Sequence, residues 1–220
     1  MKIIITGASR GIGKRTSERF IEAGHFVYGI DKDESSIENE SYIHFIADIK
    51  NAAALPDIAD ADVLFNNAGL QNCGDDIENN LKGTINVTEK YINSNLNLKS
   101  VLFNASASAV SGQEFPVYTA SKAGLIGYMK NTAIRLAPRG VTVNAVSFGG
   151  VYTPLNDPVV NDAECWRKIM DVTPLKKWMT ADEAADWVIF LTTVNRSMSG
   201  QNLLIDNGEY DLNPRFVWKE

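Results

Sequence analysis

Two short stretches, far apart in the chain, carry groups that could do chemistry together. Thr6-Gly7-Ala8-Ser9-Arg10-Gly11-Ile12-Gly13 follows an apolar run at the N-terminus, and Tyr118-Thr119-Ala120-Ser121-Lys122 lies mid-chain with Ser106 and Ser108 just upstream. The first has the form of a phosphate cradle for a dinucleotide. The second sets a phenol and an ammonium one helical turn apart. A nucleotide site joined to a Tyr/Lys acid–base pair implies hydride transfer between a nicotinamide and a carbonyl or alcohol.

In the cradle, a backbone that approaches a pyrophosphate closely leaves no room for a Cβ, which accounts for Gly7, Gly11 and Gly13. Ser9, Arg10 and Ile12 complete it, and the helix opening at Gly11 offers free N–H groups and the positive end of its dipole. The spacing is Gly-x-x-x-Gly-x-Gly rather than Gly-x-Gly-x-x-Gly. The strand before it and the helix after it therefore carry the assignment, against a bare tight turn. Asp31 ends the second apolar run, about twenty residues beyond the glycines, where an acid bonds ribose hydroxyls and repels a 2′-phosphate. It argues for NAD over NADP. Arg10 and Lys32 could neutralise that phosphate, so NADP stays open, and a strand-end Asp can also cap a turn. Asp48, ending the third run, is either an acceptor for an adenine amino group or a turn residue.

Tyr118 and Lys122 stand at i and i+4 on one helix face. Free tyrosine titrates near pH 10 and is a poor base at neutrality; a neighbouring ammonium lowers that value. A drop of about three units needs roughly 4 kcal/mol, within reach of Lys122 and an oxidised nicotinamide together. Tyr28 and Lys32 share the spacing but fall at a strand end, where they cannot share a helix face. An ordinary amphipathic face is the bland reading of Tyr118 and Lys122; the cradle upstream weighs against it.

The elements that must position these groups are legible as an alternation. Near-continuous apolar runs at 2–6, 26–31, 42–47, 63–66, 100–106, 141–146 and 202–205 read as parallel strands buried on both faces. Helical patterns lie between them at 11–23, 52–59, 77–93, 116–137, 163–170 and 181–193. Thr180 with Glu183 has the form of a capping box opening the last. The expectation is an α/β doubly wound, Rossmann-like parallel sheet of about seven strands with helices on both faces, as one domain over 1–220. The stretch 153–180, with Pro154, Pro158 and Pro174, is the least regular and reads as a substrate lid.

Composition bounds the partners. The 220 residues are 45% hydrophobic and 22% charged, with a net charge of -6. No basic face is available for nucleic acid. No apolar run reaches the length of a membrane span, and 3–5 is too short for the core of a secretion leader. Cys73 and Cys165 read as reduced thiols of a cytoplasmic protein. With only His25 and His44 beside them, no metal site is expected.

Further segments add to the two stretches. Asn66-Asn67-Ala68-Gly69 ends the fourth strand, and Asn80-Leu81-Lys82-Gly83-Thr84 opens a helix. Asn144-Ala145-Val146 is followed by Gly149, Gly150, Val151 and Thr153, and Asp206-Asn207-Gly208 lies near the end. With the cradle and the Tyr118/Lys122 pair, these resemble the short-chain dehydrogenase/reductase family over nearly the whole chain. The resemblance implies an NAD(P)-dependent reductase or alcohol dehydrogenase of a small carbonyl compound, 3-oxoacyl reductases being among its activities. It makes Tyr118 the general acid/base and has Lys122 bond the nicotinamide ribose. Asn80 completes the proton path through a water. A serine polarises the carbonyl: Ser106, still at the strand end, in preference to Ser108. It assigns Asn67, Ala68 and Gly69 to the adenosine side, and Gly149, Val151 and Thr153 to the nicotinamide.

The chain departs from the family pattern in places. Phe148 stands where the family usually has Pro. The link 69–80 is short, which would leave the wall beside the site open. The end, 211–220, overruns with Phe216 and Trp218. A non-catalytic dinucleotide sensor on the same fold is the alternative; a complete Ser/Tyr/Lys/Asn set argues against it. Small residues on the Tyr118 helix (Ala120, Ala123, Gly124, Gly127), together with the aromatic end, lead to the expectation of a homo-oligomer, a tetramer or dimer.

Overall fold

A computed structural model describes residues 1–210 and Leu212. Its seven strands are β1 (Lys2–Thr6), β2 (Phe26–Asp31), β3 (Tyr42–Ile46), β4 (Val63–Asn66), β5 (Ser100–Asn104), β6 (Thr142–Phe148) and β7 (Asn202–Ile205). They form one parallel sheet in the order β3-β2-β1-β4-β5-β6-β7. The order reverses between β1 and β4, and a sheet wound outward from such a point opens a crevice at the carboxyl ends of its central strands.

Alternation along β1 divides the core. Ile4 faces one layer with Leu64, Val101, Phe103 and Val143. That layer is closed by Val87 and Tyr91 of α2 (Thr84–Ser94) and by Leu125, Met129 and Leu136 of α4 (Pro116–Leu136). Ile3 and Ile5 face the other layer with Val63, Phe65 and Leu102, under Phe20 of α1 (Gly11–Glu22) and Ala184 and Val188 of α7 (Ala181–Ile189). Arg15 and Arg19 of α1 meet Asp182 and Asp186 of α7 at 2.7 Å each. Thr180 and Glu183 form the expected capping box.

Five expectations are corrected. The helix read at 52–59 is a single 3-10 turn, Ala52–Ala54, because Pro56 removes a backbone donor and biases Leu55 to extended backbone. The pattern 77–93 begins as a π-helical turn, Ile77–Gly83, before α2. β5 stops at Asn104, yet the Ala105 and Ala107 N–H groups still donate to Val146 and Phe148 carbonyls at 2.8 and 2.9 Å. The apolar pattern therefore ran on to Ser106. β6 extends through Phe148, where proline could not have occupied an interior strand so readily. The segment 153–180 is more regular than expected: α5 (Asp157–Val160) and α6 (Ala163–Val172) fill it. A further helix, α3 (Ser108–Ser111), follows β5. Phe216 and Trp218 lie outside the described residues.

Candidate active site

The crevice at the strand ends is a cavity of about 470 Å³, within the range of small-molecule sites. The turn after β1 floors it. Gly7 has φ +68°, and a Cβ there would stand 2.8 Å from the Ala68 Cα; a Cβ on Gly13 would collide with the Gly7 carbonyl. Both positions exclude every other residue. Asn67 fixes the turn from below: its Nδ2 donates to the Thr6 and Gly7 carbonyls at 3.0 and 3.1 Å. The Thr6 hydroxyl in turn accepts the Asn67 and Ala68 N–H groups.

Asp31 is buried at the end of β2. Its Oδ2 accepts the Ser9 N–H at 3.0 Å and its Oδ1 the Asp33 N–H at 3.2 Å. The carboxylate thus shapes the cradle and keeps lone pairs free toward the cavity it lines. Arg10 is engaged, 3.2 Å from Asp33. Asp48 also lines the cavity, and its Oδ1 accepts the Lys50 N–H at 2.9 Å as a turn residue does.

On the other side of the crevice, Ser106, Tyr118 and Lys122 line the same cavity. Lys122 is buried on α4; its Nζ donates to the Asn104 carbonyl at 2.8 Å and lies 5.9 Å from the Tyr118 ring centre. Burial lowers the Lys122 pKa to about 8, with Asp76 pulling the other way. Burial raises the Tyr118 phenol to about 12; Ser106 opposes this, and Glu114 and Asp76 add to it. The expected depression of the tyrosine is therefore absent in the chain by itself. Lys122, itself desolvated and turned to a carbonyl, does not offset the desolvation of the phenol. Tyr118 stands as an acid, proton in place.

Ser106, not Ser108, faces the cavity. Ser108 is the first residue of α3 and fully buried, and its hydroxyl donates to the Ser106 Oγ at 3.0 Å. The chain turns into a helix between the two, so the strand rule that residues two apart share a face does not apply. Asn80 lies behind the cavity wall, in the π-helical turn. Its Oδ1 accepts the Leu70 N–H and its Nδ2 donates to the Leu70 carbonyl, both at 2.8 Å, with Ser121 Oγ at 3.1 Å. Asp76 accepts the Asn72 and Cys73 N–H groups. The short link 69–80 is thus clamped rather than left open.

Of the residues singled out in sequence, Gly7, Arg10, Gly11, Ile12, Asp31, Asp48, Asn67, Ala68, Gly69, Ser106, Tyr118, Lys122, Gly149, Val151 and Thr153 line the cavity. Ser9, Gly13 and Asn80 support it from outside. Sequence reasoning missed Asn104, Gln71, Glu114, Trp178 and Tyr210, which also line it. Asn104 could have been found as a polar residue ending a central strand; the others sit in links without periodicity. Among the described residues no cluster of metal-ligating side chains occurs, and no helix is long and apolar enough to cross a membrane.

The glycine-floored cradle with a free acid at the β2 end fits a dinucleotide, and comparison with known proteins agrees. Residues 7–209 match the family described as enoyl-(acyl carrier protein) reductase. The 3-oxoacyl-[acyl-carrier-protein] reductase FabG of Buchnera aphidicola subsp. Acyrthosiphon pisum is 29% identical over 235 residues, covering 94% of this chain and 96% of the relative. The FabG of Staphylococcus aureus strain N315 is 29% identical over 241 residues, covering 94% and 97%. An oxidoreductase of the short chain dehydrogenase/reductase family from Burkholderia thailandensis superposes with a TM-score of 0.88 at 28% identity, covering 96% of this chain and 93% of that one.

Proposed function

We propose that in this chain, which belongs to the short-chain dehydrogenase/reductase family and is an NAD(P)-dependent enzyme interconverting carbonyls and alcohols, Tyr118 is the proton donor and acceptor of the reaction. The observation that carries this is the convergence of Tyr118, Ser106 and Lys122 on one cavity that also holds the glycine cradle. A bound nicotinamide supplies or takes the hydride. The chain supplies the rest. In reduction the Tyr118 hydroxyl gives its proton to the carbonyl oxygen, and the Ser106 hydroxyl donates a hydrogen bond to that same oxygen. Lys122 bonds the ribose of the cofactor and steadies the phenolate that remains. Asn80 holds Leu70 and the π-helical turn in register and completes the proton path.

Gly7, Ser9, Arg10, Gly11, Ile12 and Gly13 form the phosphate cradle of this reading, and Asp31 takes the ribose hydroxyls, which makes NAD the preferred cofactor. The relatives' name makes a short 3-oxoacyl thioester a first substrate to assay. The test is cofactor oxidation with a carbonyl panel, followed by Tyr118→Phe. The variant should lose nearly all kcat and keep its cofactor affinity. Retention of more than about a tenth of kcat, a loss under about 1.4 kcal/mol, would show that another group moves the proton.

The same reading places residues 1–220 in one catalytic unit, in the cytoplasm, as a homo-oligomer. Free Cys73 and Cys165 fit a reducing compartment. Gly124 is used inside the chain, against Leu81, but Ala120 and Ala123 remain exposed on α4 beside Val117 and Ile134. Helix-on-helix association through that face is the proposed dimer contact, with a tetramer built on it. A mass near 24.2 kDa by light scattering at micromolar concentration would rule it out.

A further inference from the structure

The cavity end beside Tyr118 is bordered by groups that carbonyl chemistry does not use. Glu114 lies in the link between α3 and α4, and it adopts φ +73°, a left-handed backbone that costs a non-glycine residue about 1 kcal/mol or more. Its carboxylate is held from two sides: the Tyr210 hydroxyl donates to Oε1 at 3.0 Å, and Gln71 Nε2 donates to Oε2 at 3.2 Å. The three residues come from three separate segments, the link after β4, the link before α4 and the turn after β7. All three line the cavity together with Ser106 and Tyr118. Glu209, next to Tyr210 in the chain, accepts from Trp178 Nε1 at 3.2 Å, and burial pushes its carboxyl up to about 7. Among the described residues lining the cavity, the cations are Arg10, Lys32 and Lys122. Arg10 and Lys32 belong to the Asp31 end, and Lys122 is committed to the reaction.

Resting on the carbonyl–alcohol reading above, we propose that Glu114 reads the substrate: its carboxylate accepts a hydrogen bond from an O–H or N–H donor, a hydroxyl or an ammonium, borne next to the reacting carbonyl of a small polar compound. A carboxylate has about four acceptor positions, and the two contacts above use two of them. An alkyl chain laid against the others would strip water from the charge and return nothing. A substrate anion would meet the Glu114 carboxylate and be repelled. A donor satisfies the carboxylate and, if cationic, its charge as well. The backbone strain at Glu114 and the two side chains that orient it are what a preformed contact requires. Glu114 and Tyr118 line one cavity, which puts that contact at the reacting end of it.

Three ketones of one size and shape separate the possibilities: butanone, hydroxyacetone and aminoacetone carry a methyl, a hydroxyl and an ammonium at the same position. Their kcat/KM values are measured with the wild type, Glu114→Gln, Glu114→Ala and Tyr210→Phe, each first shown to bind cofactor. The wild type should favour hydroxyacetone or aminoacetone over butanone by at least about tenfold, the worth of one charge-assisted hydrogen bond. Glu114→Ala should bring that ratio to within about threefold, and Tyr210→Phe should lower it in the same direction. Glu114→Gln distinguishes the donors, since an amide oxygen still serves a hydroxyl but offers an ammonium no charge. Should Glu114→Ala fail to bind cofactor, the ratios of Glu114→Gln and Tyr210→Phe decide. Equal use of butanone by the wild type, or a ratio that Glu114→Ala leaves unchanged, overturns the assignment while the carbonyl reading stands. So does inertness of all three ketones beside Tyr118-dependent turnover of another carbonyl. Absence of any cofactor turnover across a broad carbonyl panel removes both.

Discussion

Replacing the active-site lysine should make the protein more stable while it destroys activity. Lys122 is 3% exposed, and burial draws its ammonium from the ordinary 10.5 down to about 8. At about 1.4 kcal/mol per pKa unit, carrying that charge at neutral pH costs the folded state about 3 kcal/mol. Lys122→Met keeps the length of the side chain and removes the charge. It also leaves the Asn104 carbonyl without the donor now 2.8 Å away, a loss of about 1 kcal/mol. The net gain is about 2 kcal/mol, or roughly 4–8 °C in Tm for a chain of this size. The sign with pH follows from the direction of the shift. The folded pKa lies below the unfolded one, so the penalty is complete below about pH 8. Between about 8 and 10.5 the unfolded chain binds the extra proton, wild-type stability rises, and the penalty is gone above that window. Urea unfolding of both proteins at neutral pH and again at about pH 10 should show the gap narrowing. Tyr118 titrates in both proteins and cancels. A variant less stable than the wild type at neutral pH, or a gap independent of pH, would refute the argument that the site holds a desolvated charge for function at the expense of stability.

Other outcomes follow from the same geometry. Calorimetry should find NADH bound at least about tenfold more tightly than NADPH, because the Asp31 carboxylate repels a 2′-phosphate and Arg10 is already paired with Asp33; Asp31→Ser should narrow the ratio, and an equal or reversed wild-type preference would mean Lys32 or Arg10 overrides the acid. Ser106→Ala should lose the larger share of kcat and Ser108→Ala a smaller one, since Ser108 acts through its 3.0 Å bond to the Ser106 oxygen; the reverse order would make Ser108 the group on the carbonyl.

What could be read in the sequence was what repeats or is local. The cradle was legible because a strand, three glycines and a helix follow one another without a break. Tyr118 and Lys122 were legible because helical spacing alone places them on one face. The sheet was legible because parallel strands buried on both sides leave continuous apolar runs. The errors fall where a local pattern met a tertiary constraint. The apolar run through Ser106 was read as strand, and its N–H groups do still pair with β6, but the chain is already turning toward α3. The tyrosine depression is expected of Lys122 and an oxidised nicotinamide together; in the chain by itself burial acts on both partners and leaves the phenol high and the ammonium low.

The residues that were not legible are those that shape the substrate end, and the reason is general to this architecture. Gln71, Glu114 and Tyr210 meet through side-chain hydrogen bonds that join positions 43 and 96 residues apart. None lies in a periodic element, so no spacing marks them. The groups proposed to run the hydride chemistry sit at strand ends and on one helix, where the sheet fixes them. The parts that choose the substrate hang from links, free to differ in type without disturbing the sheet. Family resemblance therefore reaches the reaction through Tyr118, Lys122 and the cradle, and stops short of the substrate. The nature of the substrate is written instead in an oriented carboxylate, Glu114, whose partners are known only once the chain is folded.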